Sequence, residues 1–326
     1  MSKTIVIYDG DILSYRASAV IETRTVVVTH EPTQKQKVFK NRTDFKNSMK
    51  IQEKLYNALE YTFVDKQESQ PISNCIAIMK HQIENINDSL FADEHLICLS
   101  GVSNFRDTLP LPSKYKGSRV GLMRPVHLKG AKTYLKRNYP SQIAVMDEAD
   151  DVQIYKGYEY LEKGYTVILA TIDKDSFSYS GLNLYDFTAD NPKVELIPFG
   201  VGYLEDTGKK ITGRGLLWYC FQMIRGDTGD DYLPYELTGL KFGEKGAYKV
   251  LSDCKTEKEA LTAVVNQYKL WYPSDFTYTT WDGVTTKSNW KHMLNLYHSC
   301  VRMKETSDDL VVAYYFYKKH GVNLNE

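Results

Sequence analysis

Four acidic clusters hold most of the chemistry available to this chain: Asp9-Gly10-Asp11, Asp147-Glu148-Ala149-Asp150-Asp151, Asp173-Lys174-Asp175 and Gly226-Asp227-Thr228-Gly229-Asp230-Asp231. Each alone has a structural explanation. Asp after a strand is an ordinary turn or N-cap residue, and acids in a first helical turn are favoured by the helix dipole. Together they point to metal chemistry. Carboxylates brought close resist ionisation unless a cation neutralises them, and an all-oxygen donor set selects hard ions, Mg²⁺ or Mn²⁺. The seven histidines are scattered, with no H-x-H or H-x-x-x-H pair, which argues against zinc. Two hard ions about 4 Å apart suit in-line displacement at phosphorus, one activating the attacking water and the other steadying the leaving oxygen.

A phosphodiester substrate also needs positive charge. Residues 114–137 supply Lys114, Lys116, Arg119, Arg124, Lys129, Lys132, Lys136 and Arg137, and no Asp or Glu occurs between positions 108 and 146. Tyr115, Tyr134 and Tyr139 interleave with them. Basic residues alternating with stacking rings are the pattern of a nucleic-acid channel.

The elements that must position these groups follow from periodicity. Short apolar, β-branched runs at 4–8, 95–99, 143–146 and 166–172 predict buried strands, and helical patterns at 43–64, 72–90 and 149–162 separate them. That alternation predicts an α/β fold: a mostly parallel twisted sheet with helices on both faces. Ligands of such sheets bind beyond the carboxyl ends of the strands, where the first three acidic clusters fall. Residues 24–29 and 36–40 flank Glu31-Pro32-Thr33 and predict a polar hairpin. Beyond about residue 212, helices are expected at 216–224, 245–251, 257–270, 289–303 and 308–320, with an aromatic, turn-rich stretch at 272–283. The expected division is an α/β catalytic region, 1–212, carrying the hairpin insertion near 24–40 and a basic segment at 114–141. A mainly helical region, 213–326, would pack on it.

Composition narrows the class. The 326 residues carry 41 Lys+Arg against 41 Asp+Glu, so bulk positive charge does not drive any nucleic-acid binding, and the location of the charges matters instead. Five cysteines, an odd number without a C-x-x-C pair, predict reduced thiols and not a disulfide frame or zinc ribbon. Without a signal-peptide pattern or a membrane-length apolar run, the expectation is a soluble, cytoplasmic protein with no membrane partner.

The motifs also carry a resemblance. Val6-Ile7-Tyr8-Asp9-Gly10-Asp11-Ile12-Leu13, Phe105-Arg106, Tyr115-Lys116-Gly117-Ser118-Arg119, Glu148-Ala149-Asp150-Asp151, Thr171-Ile172-Asp173-Lys174-Asp175, the Gly226-to-Asp231 cluster and Gly239-Leu240-Lys241-Phe242-Gly243-Glu244-Lys245-Gly246-Ala247 occur in that order. This series resembles the flap endonuclease / 5′→3′ exonuclease family, in particular the stand-alone exonucleases of tailed bacteriophages, from residue 4 to about residue 251. The resemblance implies a PIN-like sheet and a helix–three-turn–helix DNA-binding element within 239–251, whose glycine-rich turn offers backbone groups to phosphates or to K⁺. It implies that Asp9, Glu148, Asp150, Asp151, Asp173 and Asp175 hold catalytic metal, and that Asp227 and Asp230 serve a second ion. Lys116 and Arg119 would steady the scissile phosphate and its developing charge. Arg106, Tyr115, Arg124, Lys129, Lys132, Lys136, Arg137, Gly239, Gly243 and Lys245 would contact DNA.

The implied substrate is duplex DNA with a 5′ end, gap or flap, cut during replication, repair or recombination of a phage in its host's cytoplasm. Three departures stand out. Ser100-Gly101 occupies a strand end where the family carries Asp, leaving Asp11 or Asp107 to stand in. Asp231 replaces an Asn, and the arch-like segment, 117–141, is short. Two other readings compete, beside a PIN-type ribonuclease, since the residues separate RNA from DNA poorly. One is a haloacid-dehalogenase-like phosphatase built on Asp9-x-Asp11, Leu99-Ser100 and the Asp173/Asp175 pair. The other is a catalytically degenerate DNA-binding module, favoured by Ser100.

Overall fold

The computed structural model describes residues 2–51 and 57–325. In chain order the elements are β1 (Thr4–Asp9), α1 (Gly10–Val20), β2 (Glu22–His30), β3 (Lys35–Phe39), α2 (Arg42–Ile51), β4 (Tyr61–Ser69), α3 (Ile72–Ser89), β5 (Glu94–Leu99), α4 (Leu128–Asn138), β6 (Ser141–Ile143), α5 (Ala149–Glu162) and β7 (Thr166–Ala170). There follow β8 (Asn183–Tyr185), β9 (Val194–Leu196), β10 (Tyr203–Asp206), β11 (Ile211–Arg214), α6 (Leu216–Arg225), α7 (Glu244–Leu251), α8 (Glu257–Trp271), β12 (Phe276–Thr279), β13 (Thr285–Ser288), α9 (Trp290–Val301) and α10 (Ala313–Lys319). The chain forms two compact units. One comprises Met1–Ile12, Asn85–Leu122 and Asn138–Glu326, and the other comprises Leu13–Glu84 and Met123–Arg137.

The first unit holds a six-stranded sheet in the order β6-β5-β1-β7-β8-β9. Neighbours pair in parallel except β9, which runs antiparallel to β8. β1 and β7 are apolar without alternation, the pattern of strands covered on both faces, and Ile5, Val6, Ile7, Val167 and Leu169 are buried. α5 closes this core with Val152, Ile154 and Tyr155. The turn from β1 into α1 requires glycine, since a Cβ on Gly10 would stand 2.7 Å from the Cys98 carbonyl oxygen. A second core in the same unit gathers α6, α8 and α9 around Tyr219, Tyr268, Tyr297 and Met293. Its buried tyrosines keep their hydroxyls partnered, as buried hydroxyls must: Tyr268 donates to the Met223 carbonyl (2.9 Å), Tyr272 to the Pro234 carbonyl (2.6 Å) and Tyr297 to the Glu236 carboxylate (3.2 Å), and Tyr219 bonds the His298 ring (2.7 Å). The sheet and the helices beyond residue 213 therefore belong to one unit.

The second unit is built on an antiparallel sheet, β3-β2-β4. α2 covers one face by packing Phe45 and Met49 on Val26 and Val28. α4 buries Ala131 and Leu135 and leaves Lys129, Lys136 and Arg137 exposed.

The mostly parallel α/β class, the hairpin and the bounds of α5 agree with expectation. The helix expected at 43–64 does not: α2 ends at Ile51, residues 52–56 lie outside the described residues, and 61–69 is the strand β4 paired along β2. Tyr61, Phe63 and Asp65 lie on one face and Thr62 and Val64 on the other, a period of two that overrides the helical reading. The strand expected at 143–146 lies earlier, at Ser141–Ile143, and Val145 and Met146 are exposed. The aromatic stretch near 272–283 is the β12–β13 hairpin. No helix among the described residues is long and apolar enough to cross a membrane.

Candidate metal and phosphate site

Three carboxylates meet electrostatically at the carboxyl edge of the parallel strands. β1 delivers Asp9, which is 3% exposed and whose Oδ1 accepts the backbone N–H groups of Asp11 (3.0 Å) and Ile12 (2.9 Å). The first turn of α5 delivers Asp150, and the turn after β7 delivers Asp173, whose Oδ1 accepts the N–H of Asp175 at 2.9 Å. Burial pushes Asp9 up to about 7 against its hydrogen bond from Ile12, with the charges of Asp11 and Asp173 adding to the rise. Burial, then the charges of Asp9, Asp173 and Glu148, hold the Asp150 carboxyl well above the ordinary range. The cations of this region pair elsewhere: among the described residues no lysine or arginine forms an ion pair with Asp9, Asp150 or Asp173.

Those cations serve the neighbouring acids. Lys116 has a left-handed backbone (φ 50°) and donates its N–H to the Asp230 carbonyl at 2.9 Å. Its ammonium hydrogen-bonds Glu148 and lies 3.7 Å from Asp230. Arg119 pairs with Asp230 at 2.5 Å and donates from Nε to the Gly229 carbonyl at 3.1 Å. Asp231 accepts the Ser118 N–H at 2.8 Å, so the Tyr115-to-Arg119 motif is folded onto the loop after α6. Burial raises Asp230, against the charges of Lys116 and Arg119. In the same loop Asp227 meets Lys174 at 2.7 Å. Burial opposes its ionisation, but the hydrogen bond and charge of Lys174 bring it below the ordinary range. Asp175 accepts a hydrogen bond from Gln222. Burial pushes it well up, followed by the charges of Asp173 and Asp230.

Three expected roles need correction. Arg106 does not face DNA: it is fully buried, forks onto Asp151 with N···O distances of 2.6 and 3.0 Å, and donates to the carbonyls of Ser299 (3.1 Å) and Arg302 (2.8 Å). Asp151 is consequently no open metal ligand. Its oxygens also accept the N–H groups of Glu148 (3.0 Å) and Lys304 (3.1 Å). Burial opposes its charge, yet Arg106 holds it below the ordinary carboxylate range. Tyr115 is buried too, with its hydroxyl 3.1 Å from both Glu148 and Asp230, so its ring is not available to stack on a base. The backbone of 299–304 as a bracket for the start of α5 has no signal in the local sequence pattern, because its partners are at least 150 residues away in the chain.

Ser100, noted in the sequence as a departure, is tied into this edge by two hydrogen bonds. Its hydroxyl accepts the Ala149 N–H at 3.1 Å, and its own N–H donates to Asp11 at 3.3 Å. Asp11 thus lies at this edge, whereas Asp107 is exposed on the turn Phe105–Thr108.

The basic stripe divides between the units. Lys114, Lys116 and Arg119 belong with the carboxylates, and Arg124, Lys129, Lys132, Lys136 and Arg137 belong to the second unit. Gly239 (φ 69°) ends the turn Glu236–Thr238 and Gly243 precedes α7. Both face open space, and Lys245 is exposed beside them.

Among the described residues no three His, Cys, Asp or Glu side chains are already closed around one point. The donor chemistry still fits a hard divalent ion: Asp9, Asp150 and Asp173 offer only oxygen, the charge of Asp173 disfavours ionisation of Asp9, and the charges of Asp9 and Asp173 disfavour that of Asp150.

No family model matches the chain, and no curated protein matches it. Among solved structures it is similar to a mutant T5 5′-exonuclease (14% identity, 93% of this chain and 88% of that one, TM-score 0.48). It is also similar to the bacteriophage T5 flap endonuclease in a pseudo-enzyme-product complex with DNA and metal ions (19%, 81% and 79%, TM-score 0.47). A third is the T5 5′-exonuclease with bound zinc ions (16%, 81% and 89%, TM-score 0.46). None of these likenesses gives a residue of this chain a role.

Proposed function

We propose that this chain is a divalent-metal-dependent nuclease that hydrolyses DNA phosphodiesters from 5′ ends, as a 5′→3′ exonuclease and 5′-flap endonuclease. The observation that carries the reading is the repulsion among Asp9, Asp150 and Asp173, buried or partly buried acids from three distant points of the chain that form no ion pair with a lysine or arginine among the described residues. With Glu148 and Asp175 they would hold Mg²⁺ or Mn²⁺, and Asp227 and Asp230 would serve a second ion. When bound, such ions supply Lewis-acid polarisation of the phosphoryl group and a lower pKa for the attacking water. The chain's own part is electrostatic. Lys116 and Arg119 pair with Glu148 and Asp230, and with those acids holding a cation both side chains would be free to meet a phosphate and the charge developing on it.

Exposed Arg124, Lys129, Lys136 and Arg137, with Lys132, would track the DNA backbone of a duplex end, gap or flap. Lys245 and the turn at Gly239 and Gly243 would add phosphate contacts, with K⁺ as a further ligand of that turn. The proposed setting is replication, repair or recombination of phage DNA in the host cytoplasm.

One observation favours a second reading. Ser100 caps α5 with a hydroxyl where the resembled family has a carboxylate, which would suit a DNA-binding module without catalysis. The phosphatase reading gives Glu148, Asp227 and Asp230 nothing to do. Asp173→Asn separates these outcomes. The nuclease reading expects Mg²⁺-dependent cleavage of duplex DNA by the parent protein, and loss of cleavage with DNA retention intact in the variant. DNA retention without cleavage by the parent protein supports the binding module instead.

A further inference from the structure

Lys174 sits between two acids of the site and pairs with a third. Its backbone is fixed: Trp218 Nε1 donates to the Lys174 carbonyl at 2.8 Å, and the Asp173 side chain caps the turn Lys174–Ser178. Only its side chain, 37% exposed, is free to leave. At rest the ammonium stands 2.7 Å from Asp227 Oδ2. The other oxygen, Oδ1, takes the Gly229 N–H at 2.7 Å, so both oxygens of Asp227 are engaged. Lys174 is also the cation that offsets the repulsion of Asp175 by Asp173 and Asp230. Across the site the situation is reversed, since Asp9, Asp150 and Asp173 have no ion-pairing lysine or arginine among the described residues.

We propose that Lys174 is an internal counter-ion that competes with a divalent cation for Asp227, so that ions fill the acidic edge in two steps of unequal affinity. The inference rests on the reading of this edge as a divalent-cation site. A first ion goes to Asp9, Asp150 and Asp173, none of which forms an ion pair with a lysine or arginine among the described residues. A second ion at Asp227 and Asp230 must displace the ammonium already in contact with Asp227. A flexible, strongly hydrated lysine is suited to such exchange, because it can swing into water and return. The parent protein would then hold its second ion weakly, and Lys174 would hold the Gly226-to-Asp231 loop in place until that ion arrives.

The test counts Mn²⁺ bound to the whole, metal-free protein by titration calorimetry and by the loss of the free-ion electron paramagnetic signal. The parent protein is expected to show one tighter and one weaker site. Lys174→Met should tighten the weaker site by about tenfold or more, since an opposing unit charge in contact is removed, and leave the tighter one within about twofold. Lys174→Arg keeps the charge and should stay within about threefold of the parent protein at both sites. Asp227→Asn should abolish the weaker site. The proposal is overturned if Lys174→Met leaves the weaker site unchanged or weakens it, or if the parent protein and the methionine variant both bind a single ion. Cleavage is read separately. A parent protein that fails to cut DNA while Lys174→Met tightens Mn²⁺ binding sinks the nuclease reading and leaves the counter-ion standing. Normal cleavage with unaltered Mn²⁺ binding does the reverse.

Discussion

At the carboxyl edge of the sheet, Asp9, Asp150 and Asp173 repel one another without an ion-pairing lysine or arginine among the described residues, whereas in the loop after α6 both Asp227 and Asp230 are already paired, with Lys174 and with Arg119. The difference shows that proximity of acids is not enough to define a metal site. What distinguishes the two regions is whether the acids stand in direct ion pairs with the chain's own lysines and arginines. The contrast sharpens within a single helical turn. Asp150 is driven well above the ordinary carboxylate range, mainly by burial, while the next residue, Asp151, is held below it by Arg106. A carboxylate without a direct ion pair is a candidate for chemistry, and one locked in a buried fork is a candidate for architecture.

The largest effect expected from this contrast is on cleavage. Asp9→Asn or Asp150→Asn should lower it by about a thousandfold or more, measured on end-labelled duplex DNA under single-turnover conditions, because the metal-holding edge loses a ligand. Near-parent activity in both variants would erase the distinction between the two regions. Arg106→Ala should act on folding, costing about 3–5 kcal/mol in urea denaturation, because it leaves Asp151 charged and buried without its partner. The double change Arg106→Met with Asp151→Leu should recover most of that loss, and a double variant as unstable as the single one would show the pair to be more than architecture.

Lys116→Ala should lower turnover on the order of a hundredfold while DNA affinity stays within about threefold, if its charge acts on the transition state. Equal losses in both would make it a phosphate anchor. A further difference should appear with pH in the metal-free protein. Asp9 keeps its proton up to about 7 in the folded chain, against an ordinary value near 3.8, so the folded state binds more protons across that interval. Stability should therefore fall as pH rises through it, and Asp9→Asn should flatten the fall in urea midpoints. An equally steep fall in the variant would remove Asp9 as its source. The smallest expected change is in affinity. Charge reversal at Lys129 and Lys136 should weaken DNA binding about tenfold and reduce its salt dependence, whereas an unchanged salt slope would place α4 off the DNA path.

Local sequence carries some of this site and not the rest, for physical reasons. α5 is legible because acids open it and an apolar face runs through Val152 and Tyr155, and the turn after β1 is legible because Asp9-Gly10-Asp11 follows an unbroken apolar run. β4 is hidden behind α2. Phe45 and Met49 stand four residues apart on one helical face, and that rhythm runs on into a strand whose Tyr61 and Phe63 obey a different period. Arg106 and Asp151 look like surface charges in sequence, because the carbonyls of Ser299 and Arg302 that bury the arginine come from the far end of the chain. Lys174 reads as a spacer between two acids until the loop that brings Asp227 to its ammonium is seen.

The measurement that bears most directly on the account is a time course on duplex DNA labelled separately at its 5′ and 3′ ends, with Mg²⁺, Mn²⁺ or EDTA. The account predicts metal-dependent release of short products from the 5′ label, gradual shortening of the 3′-labelled strand, and no reaction in EDTA. Tight DNA binding with no cleavage in either metal would contradict it.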